Sequence, residues 1–168
     1  MEFIIRQANQ DDIIAKALVH YQSWTETYTG LMPQEFLDSR TIEKCESSAA
    51  KHIDTTLVAE INGKVVGFAC YKKDSRKANP PSSEIVALYV LKEYQHLRIG
   101  TALMNSCLEI LEGSVILYVL DKNENAINFY KNKNFKFTGN KLKKEVLGGI
   151  NIELEMKLDR KIKSVISW

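Results

Sequence analysis

The stretch Val90-Leu91-Lys92-Glu93-Tyr94-Gln95-His96-Leu97-Arg98-Ile99-Gly100-Thr101-Ala102 has the make-up of an anion cradle. The run Ile85–Leu91 is apolar throughout and reads as a strand buried on both faces. A short polar turn follows, and then Ile99, Leu103, Cys107 and Ile110 recur at helical spacing. The first turn of such a helix offers backbone N–H groups with no intrahelical acceptor, at the positive end of the helix dipole. Phosphate groups bind at such places. Gly100 and Ala102 are small enough to let a phosphate approach the backbone, and Arg98 adds charge. The stretch is neither a GxxxxGKS/T phosphate loop nor a GxGxxG dinucleotide fingerprint.

Other chemistry is excluded by residue type and spacing. Cys45, Cys70 and Cys107 are odd in number, widely separated and without a CxxC or Cys/His pattern, so neither a zinc site nor a disulfide framework is expected. Buried, reduced thiols in a cytoplasmic protein fit better, and no metal ligand set is predicted. His20 and His96 stand alone; His20 reads as packing or surface. A net charge of +2 without a concentrated basic face excludes nucleic acid as the expected partner. Lys141, Lys143 and Lys144, followed by Glu145, read as a solvated loop. No apolar run approaches the roughly 20 residues a membrane span needs. The start Met1–Gln7 lacks a basic region ahead of a long apolar core, so no signal peptide is expected.

The elements that must hold this turn follow from periodicity. With 168 residues, 45% of them hydrophobic, one domain over 1–168 is expected. Phe3–Arg6 predicts a strand. Asn9 or Asp11 can cap a helix with Ile14, Leu18, Tyr21 and Trp24 on its inner face. Pro33 suits the start of a second helix over Gln34–His52. Asn62-Gly63 between two β-rich runs, Thr55–Ile61 and Lys64–Tyr71, predicts a type I′ hairpin. Lys72–Ser83, with Pro80-Pro81, reads as a surface loop. After the strand over 84–91 and the helix Ile99–Glu112 come a strand Ser114–Leu120, a helix Asn123–Lys133 and strands Phe135–Thr138 and Ile150–Leu158. The order β-α-α-β-β-β-α-β-α-β-β predicts an α/β protein. Its sheet is mixed, mostly antiparallel, of about seven strands, and flanked by helices.

Gln95-His96-Leu97-Arg98-Ile99-Gly100 resembles the acyl-CoA pyrophosphate signature of the GNAT acetyltransferases, Q/R-x-x-G-x-G/A. Gln95 and Gly100 match, and Arg98 replaces the middle glycine. A positive φ there would cost an arginine about 1 kcal/mol or more, whereas right-handed helical geometry leaves its N–H free to donate. Asn123-Glu124-Asn125-Ala126-Ile127-Asn128-Phe129-Tyr130-Lys131-Asn132-Lys133-Asn134-Phe135 is similar to the family's N-x-x-A-x-x-F-Y-x-x-x-G-F segment. Asn134 stands where glycine is usual, and asparagine tolerates the left-handed conformation that ends a helix. Ser23–Pro33 is similar to the acceptor-side helix and loop of many bacterial members.

The resemblance implies an acetyl-CoA-dependent N-acetyltransferase that acetylates a primary amine of a small molecule or peptide by direct attack in a ternary complex. It implies Glu84 as general base and Tyr130 as general acid toward the departing thiolate; a phenol of pKa near 10 stays protonated for that task. Cofactor contacts are expected from Leu88, Val90, Gln95, His96, Leu97, Arg98, Ile99, Gly100, Thr101, Ala102, Asn123, Ala126 and Tyr130, with an N–H near Val90 as oxyanion donor. Trp24, Glu26 and Tyr28 are expected at the acceptor wall. Two rivals are an acyl-CoA-binding sensor of the same fold and an acetyltransferase of protein N-termini. The basic-apolar tail Lys161–Trp168 and exposed sheet edges make a homodimer the expected assembly.

Overall fold

The computed structural model describes residues 2–75 and 82–160. Its strands are β1 (Ile4–Gln7), β2 (Thr56–Ile61), β3 (Lys64–Ser75), β4 (Ser82–Val90), β5 (Val115–Leu120), β6 (Lys136–Val146) and β7 (Gly149–Leu158). The helices are α1 (Ile13–Tyr28), α2 (Gln34–Asp38), α3 (Ile42–His52), α4 (Ile99–Ile110) and α5 (Glu124–Lys131). The seven strands form one sheet in the order β1-β2-β3-β4-β5-β7-β6. Every neighbouring pair is antiparallel except β4 with β5. This is the mixed, helix-flanked sheet expected from the order of elements. The tail from Lys161 and the Pro80-Pro81 loop lie outside the described residues.

Helices cover the sheet on both faces. Leu57, Ala59, Val66, Leu117 and Met156 pack against Ile99, Leu103, Met104 and Cys107 of α4. On the other face Val58, Phe68 and Cys70 pack with Val19 of α1, and α3 lies on α1 through Ala17, Cys45 and Ala49. All three cysteines are buried and free, as their spacing predicts. The hairpin between β2 and β3 turns at Asn62 and Gly63 with φ of 49° and 78°, the two positive values a type I′ turn needs.

Several expectations are corrected, among them the surface loop Lys72–Ser83, whose ends 72–75 and 82–83 belong to β3 and β4. The second helix is broken: Thr41 restarts it as α3, its side chain accepting the Lys44 N–H, while the Lys44 ammonium ties back to Ser39 O. Lys141, Lys143 and Lys144 lie in β6, an edge strand rather than a loop; lysines along an edge oppose further strand pairing. Most instructive is α1, where Ile14, Leu18 and Tyr21 are exposed and the inner face carries Lys16, Ala17, Val19, Ser23 and Trp24. Lys16 is 2% exposed, its stem buried and its ammonium 4.7 Å above the Phe68 ring, so a lysine takes a core position by covering apolar surface with its methylenes.

The start of α1 is pinned by charge. Asn9 accepts the Asp11 N–H at 2.8 Å and Asp12 accepts the Asn9 N–H at 2.9 Å. Asp12 also receives the Arg6 guanidinium at 2.7 and 2.8 Å, and Arg6 reaches Glu60 on β2. That hydrogen bonding from Arg6 holds the Asp12 carboxyl below the usual carboxylate range.

A bulge in β4 re-aims the residues that follow. Tyr71 pairs with Ile85 and Cys70 with Ala87, so two residues of β4 oppose one step of β3. The sequence reading put Glu84 on one face with Val86, Leu88 and Val90. The bulge overturns that: Ile85 and Val90 pack toward α4, whereas Ala87 and Tyr89 pack on the α1 face, and Glu84, opposite Lys72, joins them.

Candidate active site

β4 and β5 pair only at Ser83 with Val115 and Glu84 with Ile116, then part. On the other edge of β4, Leu91 donates its N–H to Val66 O at 3.0 Å, and Gly67 stands opposite Val90. Hydrogen bonding alternates along an antiparallel strand, so Leu88 and Val90 turn their N–H and C=O groups away from β3, into the gap toward β5. Gly67 lets β3 press close here: a Cβ would lie 2.9 Å from the Tyr89 carbonyl oxygen. The gap thus offers strand-like backbone groups that no strand among the described residues takes.

At the top of the gap the chain enters α4. Gln95 folds back and donates its side-chain amide to Val90 O at 3.0 Å, closing the turn. His96 and Arg98 both take positive φ, 62° and 65°. Arg98 is therefore left-handed at the N-cap of α4, not right-handed, and bears the strain of the position where the GNAT signature has glycine. Helical bonding begins with the Ala102 N–H to Arg98 O, which leaves the amides of Arg98, Ile99, Gly100 and Thr101 directed outward. A Cβ on Gly100 would meet Phe129 and Leu88 only at 3.7–3.8 Å. The glycine is not needed for packing, so its small size leaves room on the ligand side. Arg98→Gly is expected to raise stability by roughly 0.5–1 kcal/mol, since only the left-handed strain is removed. Thermal melts of Arg98→Gly and Arg98→Ala check this: equal melting would show no strain at this position.

α5 follows β5 across the gap. Asn123 caps it, its side chain accepting the Ala126 N–H at 3.2 Å, and thereby fixes the strand–helix turn. Asn134 ends it with φ of 66°, the left-handed stop expected of an asparagine. Tyr130 is half-buried, its ring between Phe129 and Phe135 at 5.4 and 6.0 Å. Burial, and then the nearby Tyr28 phenol, push its hydroxyl well above the usual range.

On the α1 face of the sheet, below Tyr130, lies a floor of phenols and carboxylates. Tyr28 and Tyr89 share a hydrogen bond of 3.1 Å between hydroxyls. Tyr118 donates to Glu155 at 2.5 Å; Thr138 and Asn140 also donate to Glu155, at 2.8 and 3.0 Å. Ser75 donates to the buried Glu84. Burial and Glu155, then Glu84 and Glu153, push the Tyr118 phenol up. Glu153 also acts on Tyr28. The tip of the β6–β7 hairpin closes one side, where a Cβ on Gly148 or Gly149 would lie 3.2 or 3.0 Å from Pro33.

Tyr28, Tyr130 and Glu84 thus join this floor, Glu84 from a buried position, 2% exposed. Glu26 does not: its two oxygens accept the Lys92 N–H at 3.0 Å and the Gln22 amide at 2.8 Å, strapping α1 to the turn before α4. Trp24 is also withdrawn, 7% exposed beneath the Arg40 guanidinium at 4.0 Å. Tyr89, Tyr118, Glu153 and Glu155 were not singled out in the sequence. Asn151, Glu153, Glu155 and Lys157 alternate along β7, which marks one polar face but not that it lines a groove.

His20 sits behind Tyr89, ring centroids 5.4 Å apart, with its Nδ1 buried and unpartnered. Burial, then Arg40 and Lys16, lower its pKa from 6.5 to about 4. The folded protein binds fewer protons here than the unfolded chain, so stability falls as pH drops from about 6.5 to about 4. The loss is on the order of 3 kcal/mol. Urea melts across that window check it, and His20→Phe should flatten the slope.

A sheet that parts beside a helix start with outward amides has the geometry of a site for a phosphate-bearing ligand with an extended arm. Residues 19–137 match the model of the acetyltransferase (GNAT) family. A probable N-acetyltransferase of Mycobacterium tuberculosis is 29% identical over 155 residues, 88% of each chain. A spermidine N(1)-acetyltransferase of Thermoplasma acidophilum is 27% identical, covering 81% of this chain and 89% of that one. Among solved structures, the PaiA N-acetyltransferase of T. acidophilum, in complex with coenzyme A, has a TM-score of 0.75 at 24% identity. It covers 95% of this chain and 100% of that one. The chain belongs to the acetyltransferase (GNAT) family, whose acyl donor is acetyl-CoA.

Proposed function

We propose that this chain transfers the acetyl group of acetyl-CoA to a primary amine of a small cationic molecule, by direct attack with both substrates bound. The observation that carries the reading is the parting of β4 and β5 directly below the outward amides of Arg98–Thr101. Acetyl-CoA supplies an acetyl group already activated as a thioester. The outward amides of Arg98, Ile99, Gly100 and Thr101, with the Arg98 guanidinium, take the pyrophosphate. The edge of β4 at Leu88 and Val90 takes the amide-bearing arm as it would an added strand. The Val90 N–H meets the negative charge that develops on the carbonyl oxygen. As the C–N bond forms, the proton the amine loses passes through water along the floor of Tyr118 to Glu84, which is buried and too far along β4 to take it directly. As the C–S bond breaks, Tyr130 donates a proton to sulfur.

The acceptor class follows from the floor. Glu84, Glu153 and Glu155 favour a cation, and the relative named for spermidine makes polyamines the first class to test. The hairpin tip against Pro33 narrows the groove, which favours a small amine over a protein terminus. The test is thiol release from acetyl-CoA across polyamines, aminoglycosides, amino acids and short peptides. Amine-dependent release is expected, and Glu84→Gln should lower kcat/KM by about 100-fold with acetyl-CoA binding retained. Binding without release for every amine would replace this reading with that of a sensor.

A further inference from the structure

We infer that Tyr89, paired with Tyr28, seats the acceptor nitrogen and makes the site selective for primary over secondary amines; this rests on the function proposed above. Tyr89 lies between Leu88 and Val90, whose backbone faces the gap, yet its own side chain points to the groove on the α1 face. Tyr28 ends α1 and reaches it from above, the two hydroxyl oxygens 3.1 Å apart. Neither ring is free to turn. Tyr89 packs on His20 and Phe68 at 5.4 and 5.6 Å, and Tyr28 on Trp24 at 4.8 Å. Tyr130 is close enough for its phenol to act on Tyr89, and Tyr28 acts on Tyr130 in turn. The pair therefore stands within electrostatic reach of the group proposed to serve the sulfur.

Burial raises the pKa of both phenols, so both stay protonated. One O–H is used within the pair, and both oxygens keep lone pairs that can accept. A neutral primary amine has two N–H groups and one lone pair. Donating one N–H to each oxygen leaves its lone pair directed at the acetyl carbon. A secondary amine can satisfy only one oxygen and brings an alkyl group into the space of the second N–H.

The test compares putrescine with N,N′-dimethylputrescine, both of whose nitrogens are secondary. Steady-state rates are measured for the wild type, Tyr89→Phe, Tyr28→Phe and the double variant. Each single change should raise the putrescine KM about tenfold and shrink the preference over the methylated diamine. The double variant should be little worse than either single, because the two hydroxyls act as one unit. Melting temperature and acetyl-CoA affinity should hold, which a merely structural role would not predict. If Tyr89→Phe fails to fold, Tyr28→Phe carries the same expectation from the end of a helix. An active wild type with KM and amine preference unchanged within about twofold in both single variants overturns the seat alone. A wild type that releases no thiol with any amine overturns the proposed function and the seat with it.

Discussion

Tyr130→Phe is expected to lower kcat by about 100- to 1,000-fold, the range typical of losing a positioned general acid. The change removes one oxygen. The ring remains between Phe129 and Phe135, and the backbone carbonyl of Tyr130 still accepts from Lys133 and Phe135, so α5 keeps its end. Acetyl-CoA affinity should hold, because in the proposed complex the pyrophosphate and the arm meet backbone groups of the α4 start and of β4. The phenol is pushed upward by burial and by Tyr28, so it stays protonated throughout the neutral range. Its loss should therefore depress the rate at every neutral pH rather than shift the profile. Single-turnover rates with bound acetyl-CoA and saturating amine check this; a rate within about threefold of wild type would remove Tyr130 from the proton path.

Thr101→Glu should separate stability from binding. Thr101 occupies the third position of α4, where a carboxylate interacts favourably with the helix dipole, so the melting temperature should hold or rise. The same carboxylate would stand among the outward amides that the pyrophosphate needs. Like charges about 4 Å apart near a surface repel by up to about 4 kcal/mol, and part of that is screened. Acetyl-CoA affinity is expected to fall about 100-fold, read by calorimetry. A variant that binds as tightly as wild type would place the phosphates elsewhere.

Much of this architecture was written in local pattern. The Asn62-Gly63 turn and the stop at Asn134 are decisions made within a few residues, and each came out as read; the strand before Gln95 also formed, but it is not buried on both faces, since Val86 is 43% exposed. What was missed depends on contacts between distant segments. Ile14, Leu18 and Tyr21 were read as the inner face of α1 and are exposed, whereas Lys16 is buried because Phe68, far along the chain, provides its cover. The bulge at Ile85 and Val86 leaves no mark in an apolar run, yet it decides which way Glu84 and Tyr89 point. Glu26 looked like an acceptor-wall carboxylate until the Lys92 amide claimed it. The left-handed Arg98 shows the converse: the local rule against it was sound, and the close entry into α4 overrides it.

The central claim is tested most directly by incubating the purified chain with acetyl-CoA and spermidine and weighing the products by mass spectrometry. The account predicts spermidine heavier by one acetyl group, one free coenzyme A for each acetyl transferred, and a protein of unchanged mass. Intact acetyl-CoA and unmodified spermidine in the presence of bound cofactor would contradict catalysis on this acceptor class. An acetyl group found on the protein itself would contradict direct attack.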